Sequence, residues 1–144
     1  APAWRASADA DGALHGRVSF ESGGAMIKGQ SDADWSYATL NTLVLPGDVL
    51  WADETASLEV EFSGGTFLRL ADTSRAEIVS VPPAGLIKAS TGSFYVQRVA
   101  RSGGAFKVQT PAVDVTLEPD SQVRIDIVEN GSTTVSVRWG RALV

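Results

Sequence analysis

The stretch VDVTLEPDSQVRIDIVENGSTTVSVRW, residues 113–139, decides the fold class because apolar and polar residues alternate along it. In its middle, Val123 and Ile125 alternate with Arg124 and Asp126. A period of two places one set of side chains on a buried face and the other set in water, as in a β-strand. Turn-forming pairs interrupt the alternation at two points, Pro119-Asp120 and Asn130-Gly131. The stretch therefore predicts three successive β-strands.

Two details of this stretch carry expectations of their own. Asn130-Gly131 predicts a tight hairpin of type I′, in which both central residues have positive φ. Trp139 continues the alternation of Val135 and Val137, so we expect it to lie in the core with them.

Outward from this stretch, the rest of the chain shows the same alternation in shorter runs: Val18–Phe20, Leu58–Phe62, Phe67–Leu70, Glu77–Val81, Phe94–Val96 and Phe106–Gln109. Turn-forming residues separate them, namely Pro46-Gly47-Asp48, Ser63-Gly64-Gly65, Pro82-Pro83-Ala84-Gly85, Gly92, Ser102-Gly103-Gly104 and Gly140. Val, Ile and Thr supply 31 of the 144 residues, and no segment has a helical period. We therefore predict an all-β domain of about ten short strands in a rolled or solenoid-like sheet. A β-sandwich is the alternative, because it gives the same pattern.

Composition excludes several classes of function. The net charge is −5, which argues against nucleic acid as a partner, and the absence of cysteine excludes disulfides and thiolate sites. No apolar run is long enough for a membrane-spanning helix. Asp9-x-Asp11 and Asp32-x-Asp34 lack the further ligands of a metal site, and the one histidine, His15, has no recognisable catalytic partner. We therefore predict no enzyme activity, no catalytic residue, no metal and no cofactor.

The first fifteen residues differ from the rest. Residues 1–15 contain six alanines and no β-branched residue, which predicts a flexible N-terminal arm in front of a β domain at 16–144. One interpretation is a frayed terminus; the other is an arm that becomes ordered against a partner, with Trp4 and Leu14 as anchors. The start Ala1-Pro2-Ala3 is typical of what remains after signal-peptide cleavage, so we expect a secreted protein, periplasmic or on the cell surface.

From Gly16 to the end, the chain resembles a FecR-type domain of the secreted branch. The segments that carry the resemblance are Arg17-Val-Ser-Phe-Glu-Ser-Gly23, Trp35-x-x-Ala38-x-Leu40-Asn41, Leu45-Pro-Gly-Asp-Val-Leu-Trp51, Gly65-Thr-Phe-Leu-Arg-Leu70 with Ser74, Gly92-Ser-Phe-Tyr-Val96, Phe106-x-Val-x-Thr-Pro111 and Val135-x-Val-x-x-Gly140. The resemblance implies an all-β sheet without catalytic residues. It does not imply the signalling role of the classical regulators, whose sigma-factor-binding segment and membrane helix have no counterpart here. Asp48 itself is interpreted as a turn residue.

Two functions remain open. The first is a protein–protein interaction or structural domain that assembles with itself or with another envelope protein, through the arm or the sheet edges, into an envelope-associated or extracellular filament. The uneven distribution of charge favours this assembly, because unlike ends can meet head to tail. Residues 1–65 hold ten acidic and three basic residues, whereas residues 66–144 hold seven acidic and nine basic residues. The second is a ligand-sensing or glycan-binding module of the cell envelope, with Trp35, Tyr37 and Trp51 as the candidate platform.

Overall fold

The computed structural model describes residues 15–144, and in that range it contains thirteen β-strands and no helix. The strands are β1 (Gly16–Ser22), β2 (Met26–Lys28), β3 (Ser36–Tyr37), β4 (Leu43–Val44), β5 (Val49–Ala52), β6 (Ser57–Phe62), β7 (Thr66–Ser80), β8 (Ala84–Arg98), β9 (Ala105–Gln109), β10 (Asp114–Leu117), β11 (Ser121–Ile127), β12 (Thr133–Trp139) and β13 (Ala142–Leu143). They form one continuous sheet. The all-β prediction is confirmed, although the strands of this range number thirteen rather than about ten, and two of them are long.

Strands β7 and β8, fifteen residues each, are the centre of the sheet. Residues 66–71 of β7 pair with 93–98 of β8, and residues 75–80 pair with 86–91. The two halves have different neighbours. Beside the first pairing lie β6, β1 and β4 on one side and β11 and β12 on the other. Beside the second lie β5, β2 and β3 on one side and β9, β10 and β13 on the other.

The predicted turn at Gly92 is wrong, because this residue lies inside β8. Its φ of 105° bends the strand without reversing it. Opposite this bend, Asp72 and Thr73 also have positive φ, and the Oγ of the buried Ser74 bonds both the amide and the carbonyl of Ser93, each at 2.9 Å. The runs Phe67–Leu70 and Glu77–Val81, which were predicted as separate strands, therefore belong to one long strand, β7, which ends at Ser80. The predicted run Phe94–Val96 is part of the long strand β8.

The predicted hairpin at Asn130-Gly131 joins β11 to β12, but its predicted type I′ turn is wrong. Of the two residues only Gly131 has positive φ, at 87°. The amide of Gly131 donates to the carbonyl of Val128 at 2.8 Å, and the amide of Val128 donates to the carbonyl of Ser132 at 3.1 Å. This is a type I turn followed by a bulge at glycine, in which Asn130 Oδ1 accepts from the Ser132 amide at 2.9 Å.

One hydrophobic core links both halves of the sheet. Phe62 on β6 and Phe106 on β9 are both buried, and their ring centroids lie 5.9 Å apart. Around them the inward residues of the long strands are fully buried, among them Leu68, Leu70, Ile78, Ile87, Phe94 and Val96. Strands from distant parts of the chain therefore share the burial of one set of apolar side chains.

The largest fully buried side chain is a charged one, Arg98 at the end of β8, which is 1% exposed. Its Nη1 donates to the carbonyl of Leu117 at 2.8 Å, its Nη2 to the carbonyl of Gly103 at 2.9 Å, and its Nε to Thr66 Oγ1 at 3.3 Å. Burial lowers the pKa of Arg98 from its usual value, but arginine stays protonated in proteins. The guanidinium therefore joins β7, β10 and the loop after β8.

Replacing Arg98 with methionine should destabilise the domain by about 3 kcal/mol, because hydrogen bonds to a charged group contribute about 1.5–3 kcal/mol each and the carbonyls would lose their donor. Urea denaturation of the purified protein measures this free energy of unfolding. The control is Arg101→Met, since Arg101 is exposed. A loss for Arg98→Met no larger than for the control would contradict the structural role.

Candidate functional site

Strand β12 is an edge of the sheet, since it pairs with β11 alone among the described strands. Hydrogen-bonded and non-hydrogen-bonded pairs alternate in an antiparallel ladder, and here the bond between Val128 and Ser132 sets the phase. By this alternation, the backbone groups directed away from β11 are those of Thr133, Val135 and Val137. Three positions of β12 thus offer backbone donors and acceptors to another strand.

Apolar side chains lie exposed beside this edge. Val128 is 57% exposed, Val137 45% and Trp139 48%. The prediction that Trp139 lies in the core is wrong, and the reason is a bulge. Val137 pairs with the buried Val123, but Trp139 pairs with Gln122, so the extra residue between them turns Trp139 to the opposite face.

That opposite face of β1, β6, β7, β8, β11 and β12 carries three rows of aligned side chains. The first row is Arg17, Glu61, Phe67, Gln97, Gln122 and Trp139. The second row is Phe20, Glu59, Arg69, Tyr95, Arg124 and Ser136. The third row is Ser22, Ser57, Ala71, Ser93, Asp126 and Thr134. None of these residues is buried, and we call the three rows the six-strand face.

The charged groups of the six-strand face form pairs. They are Arg17–Glu61 at 3.2 Å, Arg69–Glu59 at 3.5 Å and Arg124–Asp126 at 2.9 Å. The hydrogen bond to Asp126 raises the pKa of Arg124, so this arginine stays charged. Two guanidinium groups also stack on aromatic rings. The guanidinium carbon of Arg69 lies 5.0 Å from the centroid of the Phe20 ring, and that of Arg124 lies 5.2 Å from the centroid of the Tyr95 ring. The three bases and three acids leave the face with no net charge.

A cavity of about 440 Å³ opens on this face. Its walls include Phe67, Arg69, Tyr95, Gln97 and Gln122. The Nε of Arg69 is buried and has no hydrogen-bond partner within residues 15–144. The cavity therefore combines aromatic rings, side-chain amides and an unused donor.

A second cavity, of about 390 Å³, lies on the other half of the sheet and contains two of the predicted platform residues. Trp35 and Trp51 line it together with Met26 and Arg75. The guanidinium carbon of Arg75 lies 5.8 Å from the centroid of the Trp35 ring. The third platform residue, Tyr37, pairs with Met26 across β2 and β3 and is 70% exposed. The structure therefore brings the three predicted aromatic residues to one region.

The predicted arm and its anchors Trp4 and Leu14 lie outside the described residues. Of the arm, only His15 is described, and it lies beside the start of β1 near Arg17 and Glu61. Asp48 is 1% exposed, and its carboxylate accepts from the amide of Leu45 at 2.8 Å across the β4–β5 turn. This geometry is that of the turn residue we predicted.

Between residues 15 and 144 no cluster of three or more His, Cys, Asp or Glu could hold a metal ion. No helix in this range could span a membrane.

Sequence reasoning missed the six-strand face, because its residues meet only through the pairing of six strands. The alternation does mark Gln97 and Gln122 as outward-facing, on either side of the buried Val96 and Val123. It does not mark Phe20, which a bulge after Val18 turns outward. No sequence motif marks these residues, because only the pairing of the six strands makes them neighbours.

Comparison with known families supports the resemblance noted above. The profile of the FecR protein family matches residues 48–143, two thirds of the chain. The resembling segments before Asp48 lie outside this match. No curated protein and no solved structure shows significant similarity to the chain. The family match covers β5 to β13, including both long strands and the open edge at β12, and the chain therefore belongs to the FecR family.

Proposed function

We propose that this FecR domain is a secreted structural subunit that assembles with itself, at the cell envelope or in an extracellular filament, by adding a strand to the edge of β12. FecR domains mediate protein–protein interaction and are not an enzyme family. The observation that carries the proposal is the open seven-residue edge of β12 with exposed apolar residues beside it.

The composition of β12 favours strand addition. Its sequence TTVSVRW is rich in β-branched residues, contains no proline or lysine, and has Arg138 as its one charge. Lysine and proline are common protections of an edge against pairing with another chain. The ends of the sheet at β3, β4 and β13 are strands of two residues each, which offer far less backbone to a partner. Among the described strands, β12 is thus the long unprotected edge.

A strand added beyond β12 would also bury apolar surface. Val137 faces the core side of the sheet but is 45% exposed because no strand covers its outer flank. The backbone of an added strand supplies affinity, and its alternate side chains supply register. In our proposal the N-terminal arm of a second copy supplies this strand, with Trp4 and Leu14 as its apolar anchors.

The charge distribution suits head-to-tail contact. Strands from residues 15–65 lie on one side of the β7–β8 pair, and strands from residues 99–144 lie on the other. The first range holds eight acidic and two basic residues, the second five of each. The molecule therefore has an acidic side and a neutral side, and β12 lies on the neutral one, where repulsion between copies is small.

Val137→Lys should abolish assembly, because it places a charge on the open edge that a partner strand would have to bury. Light scattering and negative-stain imaging of the full chain measure the assembly. The matched control is Leu40→Lys, which changes an exposed leucine, 62% accessible, far from β12. A chain starting at Gly16 should remain folded and monomeric.

A full chain that stays monomeric at all concentrations would contradict self-assembly. Equal assembly by Val137→Lys and the unmodified chain would remove β12 from the contact. Assembly by the chain starting at Gly16 would remove the arm.

The second candidate function is ligand or glycan binding, and one observation favours it: Trp35 and Trp51 line a shared open cavity. Trp51→Ala should then abolish saccharide binding while the thermal midpoint barely moves, because the ring is only half-buried. Intrinsic fluorescence titration measures the binding, with Leu143→Ala as the control, since this exposed leucine on β13 lines neither cavity. A large loss of stability would instead identify Trp51 as a packing residue.

A further inference from the structure

Two separate bulges turn aromatic residues onto the six-strand face. On β1 the register shifts between Val18 and Phe20, so that Phe20 pairs with the outward Glu59 and is 42% exposed. On β12, at the opposite flank of the face, the register shift before Trp139 pairs this residue with the outward-facing Gln122. Regular alternation would have put both rings on the core side. Bulges that re-aim a side chain are common beside functional sites.

Between these flanks, the first row presents two side-chain amides next to aromatic rings. Gln97 and Gln122 face each other across β8 and β11, and Phe67 and Trp139 lie on either side of them. Both amides are half-buried in or beside the cavity, and neither makes a side-chain hydrogen bond within residues 15–144. Each amide therefore has two donors and one acceptor available for a ligand.

The charges of the face define the kind of ligand. Every acid and base in the three rows is held in one of the three ion pairs, so the face offers hydrogen bonds without a net charge. The three rows therefore offer a charged ligand no unpaired group of opposite charge. The net charge of −5 further opposes an anionic polymer.

The spacing of the Phe67 and Trp139 rings defines the shape of the ligand. Neighbouring strands lie about 4.8 Å apart, so Phe67 and Trp139 are about 14 Å apart across three strand steps. A ligand that contacts both rings must be elongated, and it must present apolar faces to the rings and polar groups to the amides. Saccharides have this character, with C–H groups on the ring faces and hydroxyls around the rim.

We propose that the six-strand face binds a neutral oligosaccharide that lies across the strands. Its sugar rings stack on Phe67 and Trp139, and its hydroxyls bond the amides of Gln97 and Gln122. This binding site is distinct from both the β12 backbone edge and the Trp35–Trp51 cavity, so it extends the proposed function rather than resting on it.

Titration by two-dimensional ¹H–¹⁵N NMR tests the proposal on the full chain. The probes are cellohexaose, chitohexaose and maltohexaose as neutral oligosaccharides, and hexagalacturonate as the acidic comparison. At least one neutral probe should shift the side-chain amide signals of Gln97 and Gln122. The acidic probe should bind at least about tenfold more weakly or not at all.

Gln97→Ala and Gln122→Ala should each weaken binding of that probe by about tenfold, the usual effect of losing a hydrogen bond to a ligand. The matched control is Gln109→Ala, which removes a half-buried amide from β9 in the other half of the sheet and should leave the dissociation constant unchanged. The NMR spectrum of each variant checks that it is folded.

Three results would overturn the inference. The first is the absence of amide shifts with every neutral probe. The second is tighter binding of hexagalacturonate than of any neutral probe. The third is binding that Trp51→Ala abolishes while Gln97→Ala and Gln122→Ala do not, which would move the site to the second cavity. None of these results bears on assembly through β12, which light scattering measures separately.

Discussion

The buried guanidinium of Arg98 fixes the register on which the outward surface depends. It donates hydrogen bonds to β7, β10 and the loop after β8, so β8 has one permitted alignment at this end. Side chains alternate along a strand, so a slip by one residue would exchange the two faces. With Arg98 inside, Gln97 and Tyr95 face outward and Val96 and Phe94 face inward. The polar anchor in the core thus determines which residues a ligand can meet.

Local alternation predicted the strands well because it depends only on which residues are apolar. The buried Val123 and Ile125 could be read directly from the sequence, as could the hairpin at Asn130-Gly131. The bulges could not be read, because a bulge is a property of two paired strands. Trp139 therefore faces outward against the pattern of its own strand, and Gly92 bends β8 where a turn was predicted.

The candidate surfaces were predictable to different degrees for the same reason. Trp35 and Trp51 are rare residues near the start of the chain, and composition alone marks them as candidates. Gln97 and Gln122 are unremarkable in sequence and become a pair only through β8–β11 pairing. The open edge of β12 can be recognised only once the order of strands in the sheet is known, because it rests on no described strand lying beyond β12. Position in a sheet is non-local information, and it decides what each residue can do.

The order of pairing also bears on how the chain folds. Strand β1 pairs with β6 across more than thirty intervening residues, whereas β6–β7, β9–β10 and β11–β12 are hairpins between consecutive strands. Contacts between distant residues form slowly, because loop closure costs entropy before the contact is made. The hairpins can therefore form early, whereas the pairing of β1 with β6 forms later. During synthesis β1 is made before every hairpin, but it remains without its β6 partner until Phe62 has been made.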